Sequence, residues 1–338
     1  MSFKIAIFGA KGFERLEFHL ADSLENMGYK AKIFDFDDAY SIPRKIAFWS
    51  RRFNEQFAVA SARSIAKKII KWRAELVICT FKDIHPVFVE EIKKHAGNLK
   101  CIHINPDQMT TLQNQQIIAA NFDAYFIKDP FMVTFFRDKA GLNAHLLSEA
   151  FNPRVHVRPN ISKKKAEQES GIDVLTFGGL YPYRVRILEQ LVDKGFKIKI
   201  IGQKRPYLGN KLSTYRDEKY IVGEEKSKLV YGAKIVFNNF HYAEVEGVNV
   251  KFFEINGIGG FQFCDYKDIL HDYLPYNPEE MSFRSINESV DKIRNLLESS
   301  KEQYRHEIAD VNYTHFGRHH TYEHRFNEVF NILKIGVN

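Results

Sequence analysis

Short apolar runs alternate with amphipathic stretches along most of the chain. Runs at 4–8, 30–36, 76–79, 100–104, 124–127 and 144–147 are bounded by Gly, Asn, Asp or Pro, and several are rich in Ile or Val; these predict strands. Between them, 14–26 places Leu16, Leu20 and Leu24 on one helical face, and 58–72 gathers Val59, Ile65, Ile69 and Trp72. Such alternation predicts parallel pairing through helical crossovers, a Rossmann-like sheet.

The pattern breaks at Phe151-Asn152-Pro153 and Arg158-Pro159-Asn160, followed by a polar stretch at 162–170 without apolar periodicity. It then restarts: strands are expected at 172–177, 196–201, 234–237 and 261–264, with helices at 184–194, 224–232 and 252–258. From about residue 285 the chain reads as nearly all helical, ending in a long element over 321–333. The expected organisation is a Rossmann-like domain at 1–155, a second at 156–315 and a C-terminal helical segment at 316–338.

Composition narrows the class. The 338 residues, 44% apolar and 27% charged, suffice for two cored domains and exclude wholesale disorder. No uncharged apolar run approaches the roughly 18 residues of a membrane span. The N-terminus reads as a first strand rather than a signal peptide. Cys79, Cys101 and Cys264 are isolated, which fits a reducing compartment better than a disulfide or zinc framework. The net charge of +7 is uneven: residues 41–73 hold nine Lys/Arg against Glu55 alone, interleaved with Phe48, Trp49, Phe53, Phe57 and Trp72. That segment suits anionic lipid head groups, or equally a solvated helix face with apolar packing beneath.

Three glycine-bearing turns carry candidate chemistry. Gly9-Ala10-Lys11-Gly12 follows the first strand, but Arg15 stands where a dinucleotide fingerprint has its third Gly; Asp35, Asp37 and Asp38 close the second strand. Phe177-Gly178-Gly179-Leu180 repeats the turn in the second half, with Tyr183, Arg184 and Arg186 opening the next helix. A glycine turn, a helix N-terminus and guanidinium groups together suit a diphosphate; a bare turn with surface arginines is the plainer reading. In the segment from Glu246 to Phe261, Gly247 and Asn249 lead into a helix whose first turn holds Lys251. A cation is unfavourable at that end of the dipole unless an anion binds there. Glu254 follows one turn on, where a carboxylate can take both hydroxyls of a ribose, before Gly257, Gly259 and Gly260.

This segment resembles the nucleotide-sugar half of GT-B glycosyltransferases, closest to the group related to the spore maturation protein CgeB, whose pattern runs roughly G-V-N-x-R-x-F-E-x-x-A-x-G-G-F. Gly247, Val248, Asn249, Phe253, Glu254, Gly259, Gly260 and Phe261 match, and Lys251 replaces the usual Arg. Asp265 sits where that group often has an acid. Tyr231-Gly232-Ala233-Lys234-Ile235 with Asn238, and His320-Thr321-Tyr322 with Arg325, follow in the expected order. The resemblance is good over about 150–333 and mostly architectural before that.

The resemblance implies two Rossmann-like domains facing across a cleft, with C-terminal helices crossing back to the first. It implies transfer of a sugar from a nucleotide-diphosphate donor to a glycan, lipid-linked or other acceptor, without an obligatory metal or further cofactor. By analogy the donor lies on Gly178, Gly179, Tyr183, Arg184, Gly202, Asn249, Lys251 and Glu254. Glu246, eight residues before Glu254, has the E-x7-E spacing of many retaining enzymes, in which the first Glu faces the donor sugar. An inverting enzyme would need a base from the first domain. His103 or Asp107 could supply it, although a structural His before a Pro turn explains the same residues.

A cytoplasmic protein is expected, with 41–73 as a candidate contact to the inner face of the membrane, and not a nucleic-acid binder. Two other classes compete. An NAD(P)-dependent reductase or epimerase would use the Gly9/Gly12 turn and want a Tyr-x3-Lys pair in the first domain; the pair Tyr207 and Lys211 lies in the second half. A non-catalytic nucleic-acid or membrane binder would use 41–73, against which stand the 42 acidic residues and the missing RNA motifs.

Overall fold

The alternating runs pair as two wholly parallel sheets of six strands in a computed structural model that describes residues 2–111, 116–203 and 210–336. The chain divides into two units, one from the N-terminus to Ser148 together with the segment from Arg325, the other Glu149–His324.

In the first unit the strands are β1 (Lys4–Phe8), β2 (Lys30–Phe34), β3 (Leu76–Cys79), β4 (Lys100–Asn105), β5 (Ala124–Ile127) and β6 (Ala144–Leu146), in spatial order β2-β1-β3-β4-β5-β6. The crossovers carry α1 (Leu16–Asn26), α2 (Arg44–Phe53), α3 (Glu55–Trp72), α4 (Val87–His95), α5 (Gln116–Ala119) and α6 (Pro130–Thr134). Phe8, Val77, Phe88, Ile65 and Ile69 form the centre of one core. Each such side chain contributes about 1.5–3 kcal/mol by burial. Cys79 and Cys101 lie in that core with their Sγ atoms 4.0 Å apart, and all three cysteines are free.

The second unit holds α7 (Lys163–Ser170), β7 (Val174–Phe177), α8 (Pro182–Asp193), β8 (Ile198–Ile201), β9 (Arg216–Asp217), α9 (Gly223–Gly232), β10 (Ile235–Asn238), α10 (Val250–Ile258), β11 (Gln262–Asp265), α11 (Leu270–Tyr273), β12 (Ser282–Phe283), α12 (Ile286–Leu297) and α13 (Glu302–His319). Its sheet runs β12-β11-β10-β7-β8-β9. Alternate residues face opposite sides: Val174, Ile198, Phe237 and Phe263 in one core, Leu175, Ile201, Val236 and Ile255 in another. The last helix, α14 (Tyr322–Leu333), buries Phe326, Val329 and Phe330; Phe330 stacks edge-on with Tyr29 of the first unit, to which this stretch belongs.

Several elements differ from the expectation. The strand expected at 30–36 ends at Phe34, because Asp35 caps a short turn over Phe36–Asp38. The helix α2 was not foreseen, since Ile46, Trp49 and Phe53 point outward, 57, 53 and 79% exposed. The polar stretch after Ser162 is a helix whose buried face is Lys163, Ala166 and Glu167. There the Lys163 amine donates to the carbonyls of Tyr231 and Ala233, and Glu167 pairs with Arg305. Among the described residues no helix is long and apolar enough to cross a membrane.

Candidate functional site

In an open α/β sheet, ligands bind beyond the carboxyl ends of the strands, where the strand order reverses. In the second unit that point lies between β7 and β10. The loop after β7 begins at Gly178, whose φ of +98° only glycine adopts without strain. Gly179 follows, and α8 starts with Pro182 in its first turn. The loop after β10 runs to Asn249, which caps α10 by accepting from Phe252 N–H at 3.1 Å. Asn249 and Asn238 also exchange side-chain hydrogen bonds at 3.0 and 3.1 Å, fixing the helix start on the end of β10.

Arg184 ties the two loops together. Its Nε and Nη2 donate to the side-chain and backbone oxygens of Asn239 at 2.9 and 2.7 Å, and Nη1 donates to Gly179 O at 2.7 Å. The guanidinium is buried, and burial holds it below the usual arginine range against the pull of Tyr181, Glu244 and Asp265. Lys251 reaches back from α10 to donate to Phe177 O at 3.1 Å, its Nζ 3.8 Å from where a Cβ on Gly178 would stand. Burial and the Arg184 charge push the Lys251 amine well below the ordinary lysine value. Two cations thus crowd one glycine turn.

Glu254, one turn along α10, is buried. Its carboxylate meets Lys226 Nζ at 3.2 Å and His156 Nε2 at 3.4 Å. His156 Nδ1 accepts from Asn152 N–H at 3.1 Å, and its Nε2 stands 3.2 Å from Lys226 Nζ as well as beside Glu254. Gly202, after β8, backs the Gly178 turn; a Cβ there would come within 2.8 Å of Gly178 O. Tyr183 is 44% exposed beside Tyr242. Glu246 is exposed in the loop before α10, and Lys267 holds that loop through the carbonyls of Glu244, Val245 and Gly247. Asp265 at the end of β11 accepts from Phe240 N–H, and burial pushes its carboxyl up to about 6. Sequence reasoning missed Lys226, His156 and Lys267, which come from distant segments without a motif.

His103 and Asp107 belong to the first unit. His103 lies fully buried in β4, 3.0 Å from Phe81 O, and burial lowers it to about 4, so the ring is neutral and donates from Nε2. Asp107 is half-buried in the turn after β4, where its N–H donates to Asn105 Oδ1 at 3.1 Å.

The Gly9 turn is closed by protein carboxylates. Ala10 N–H donates to Glu17 Oε1 at 3.0 Å, Thr80 Oγ1 donates to the same oxygen at 2.6 Å, and Lys11 N–H donates to Asp35 Oδ2 at 2.9 Å. Two backbone donors of that turn, at Ala10 and Lys11, are therefore already used. Tyr207 of the Tyr-x3-Lys pair lies outside the described residues.

Two Rossmann-like units, each a wholly parallel six-stranded sheet, define the GT-B fold. Solved structures share it across their whole length. Sucrose-phosphate synthase from Thermosynechococcus elongatus is 11% identical with 98% of each chain covered, at a TM-score of 0.68. A glycosyltransferase from Rickettsia africae is 9% identical with 98% of each covered, at 0.66. Anabaena HepE, in complex with UDP and glucose, is 11% identical with 99% of this chain and 100% of that one covered, at 0.65. Residues 184–331 match the model of a family described as glycosyl transferase-like. No curated protein sequence matches the chain.

Proposed function

We propose that this protein transfers a glycosyl group from a nucleoside-diphosphate sugar, held at the β7/β10 turn, to a glycan or lipid-linked acceptor. The observation that carries the reading is the pair of cations, Lys251 and Arg184, gathered on the Gly178 turn. A diphosphate arriving there favours the charged form of Lys251 that burial disfavours, and the ammonium then neutralises the leaving group without a metal. Arg184 positions the two loops. Glu254 takes the ribose hydroxyls, oriented by Lys226 and His156. Glu246 faces the donor sugar in a retaining transfer, with Asp107 as an acceptor contact. His103, neutral and buried, supports the strand end that carries Asp107. The exposed Ile46, Trp49 and Phe53, flanked by Lys45 and Arg52, support an anionic membrane surface as the place of work, on its cytoplasmic side.

A panel of UDP, GDP, dTDP, NAD and NADP in thermal-shift measurements tests this. One nucleoside diphosphate at about 100 times its Kd should add about 2.7 kcal/mol of stability. Stabilisation by the dinucleotides alone would sink the reading.

Asp265 adds a pH dependence. Above its value of about 6 it is ionised, and its charge acts on both Arg184 and Lys251. Donor affinity should therefore fall several-fold between pH 5 and 7, and the component centred near pH 6 should vanish in Asp265→Asn. A nucleotide sugar is the right probe, because free UDP titrates near 6 itself.

A further inference from the structure

We infer that the first unit carries a phosphoryl-binding site, a cavity of about 310 Å³ beyond the carboxyl ends of β1, β2 and β3. The site is independent of donor chemistry; its assignment to the acceptor rests on the transferase reading. Its place is the one the topology favours, since the strand order of this sheet reverses between β1 and β3.

Five cations line the cavity, Arg15, Arg44, Arg51, Arg52 and Lys82, against Asp35, Asp37 and Asp83. They come from three separate segments: the start of α1, helix α2 and the loop after β3. Two of the acids are committed. Asp35 accepts from the N–H groups of Lys11 and Asp37 at 2.9 and 3.3 Å, and Asp37 pairs with Arg44 at 3.4 Å. The cations still outnumber the acids by five to three. Arg51 is half-buried with its guanidinium 4.1 Å from the Phe36 ring centre, where burial disfavours its charge, Asp37 and Asp35 support it, and Arg44 adds a smaller repulsion. Crowded, partly desolvated cations of one sign are stabilised by an anion.

Guanidinium forks match phosphate oxygens in pairs, which selects a phosphoryl group over a single-point anion. The backbone donors at Ala10 and Lys11 in the adjacent Gly9 turn are taken by Glu17 and Asp35, and the anion is held by side chains. The volume sits at the small end of the roughly 300–1,000 Å³ usual for ligand pockets, right for a sugar phosphate or a phospholipid head group and small for a dinucleotide. Phe36, Phe48 and Phe81 give it apolar walls. Helix α2 turns Arg44, Phe48 and Arg51 to the cavity and Ile46, Trp49 and Phe53 to solvent. A phosphate carried by a lipid and one carried by a soluble sugar share the chemistry named here.

The test is calorimetric titration of the full chain with glycerol 3-phosphate, alongside sedimentation with phosphatidylcholine vesicles containing phosphatidic acid. Two double variants are compared, Arg51→Gln with Arg52→Gln, and Arg15→Gln with Lys82→Gln; the second pair touches less buried structure and guards against misfolding. We expect glycerol 3-phosphate to bind and both pairs to weaken it at least tenfold. Vesicle binding more than tenfold tighter than the soluble ester, lost in Ile46→Ser/Trp49→Ser/Phe53→Ser, marks a lipid-borne ligand; equal affinity marks a soluble one. No binding of the soluble ester, binding unmoved by both pairs, or vesicle binding alone overturns the proposal. UDP, GDP and dTDP titrated into the same samples separate the two readings. Absence of binding by all three nucleotides with the ester intact removes the transferase reading and leaves this site, and the converse removes this site alone.

Discussion

Replacing Lys251 with methionine is expected to lower kcat/KM for sugar transfer by about 10²–10³-fold, the usual cost of removing one donor that stabilises developing charge. The thermal midpoint at pH 7 should stay level or rise. The sign follows from the burial that pushes this amine well below the ordinary lysine value. A lysine depressed in the folded state binds its proton less tightly than in the unfolded chain, so it opposes folding at neutral pH; that penalty is relieved only as pH rises through the folded value towards the unfolded one. Methionine removes the penalty and keeps most of the stem, at the cost of the hydrogen bond to Phe177 O. The same logic makes a bound donor strengthen the lysine's hold on its proton. At a pH high enough to deprotonate the free amine, donor binding therefore takes up a proton, which calorimetry in buffers of different ionisation enthalpy should detect in the wild type and lose in Lys251→Arg, since a guanidinium is always charged. The arginine variant should keep donor affinity within about tenfold, because charge and reach survive. Full activity in Lys251→Met would remove the lysine from the diphosphate site.

The two-sheet architecture was legible because strands buried on both faces read as continuous apolar runs, as at Leu76–Cys79 and Val174–Phe177. The glycine turn at Gly178 and the helix start at Asn249 were legible because their chemistry is local: a positive φ, a cap, a first-turn lysine. What sequence could not carry is pairing at a distance. Glu254 is met by Lys226, 28 positions earlier, and by His156, whose own orientation depends on Asn152. Arg184 reads as a ligand-facing cation in sequence, yet its donors go to Asn239 and Gly179. The stretch after Ser162 reads as linker because its buried residues are Lys163 and Glu167, whose partners lie near Tyr231 and Arg305. Helix α2 escaped for the opposite reason, since its apolar stripe faces outward and follows no core.

Glu254→Ala is expected to cost about 3–5 kcal/mol of stability, the range for breaking a buried ion pair from one side. Lys226 and His156 are both buried, and removing the carboxylate withdraws the acid that compensates them. A loss of that size would also suppress nucleotide binding through misfolding, so alanine alone does not identify the role. Glu254→Gln separates the two. The amide keeps the volume, and its oxygen still accepts from Lys226, so the stability loss should be smaller than for alanine. A ribose, however, needs two acceptors for its 2′ and 3′ hydroxyls, and glutamine offers one. Nucleotide affinity should therefore drop by at least tenfold, about the cost of one charge-assisted hydrogen bond. The discrimination of the wild type against a 2′,3′-dideoxynucleotide should shrink in the same variant. If Glu254→Gln binds UDP as tightly as the wild type and discriminates against the dideoxy form equally well, Glu254 is a structural acid for Lys226 and His156, and the ribose contact must lie elsewhere.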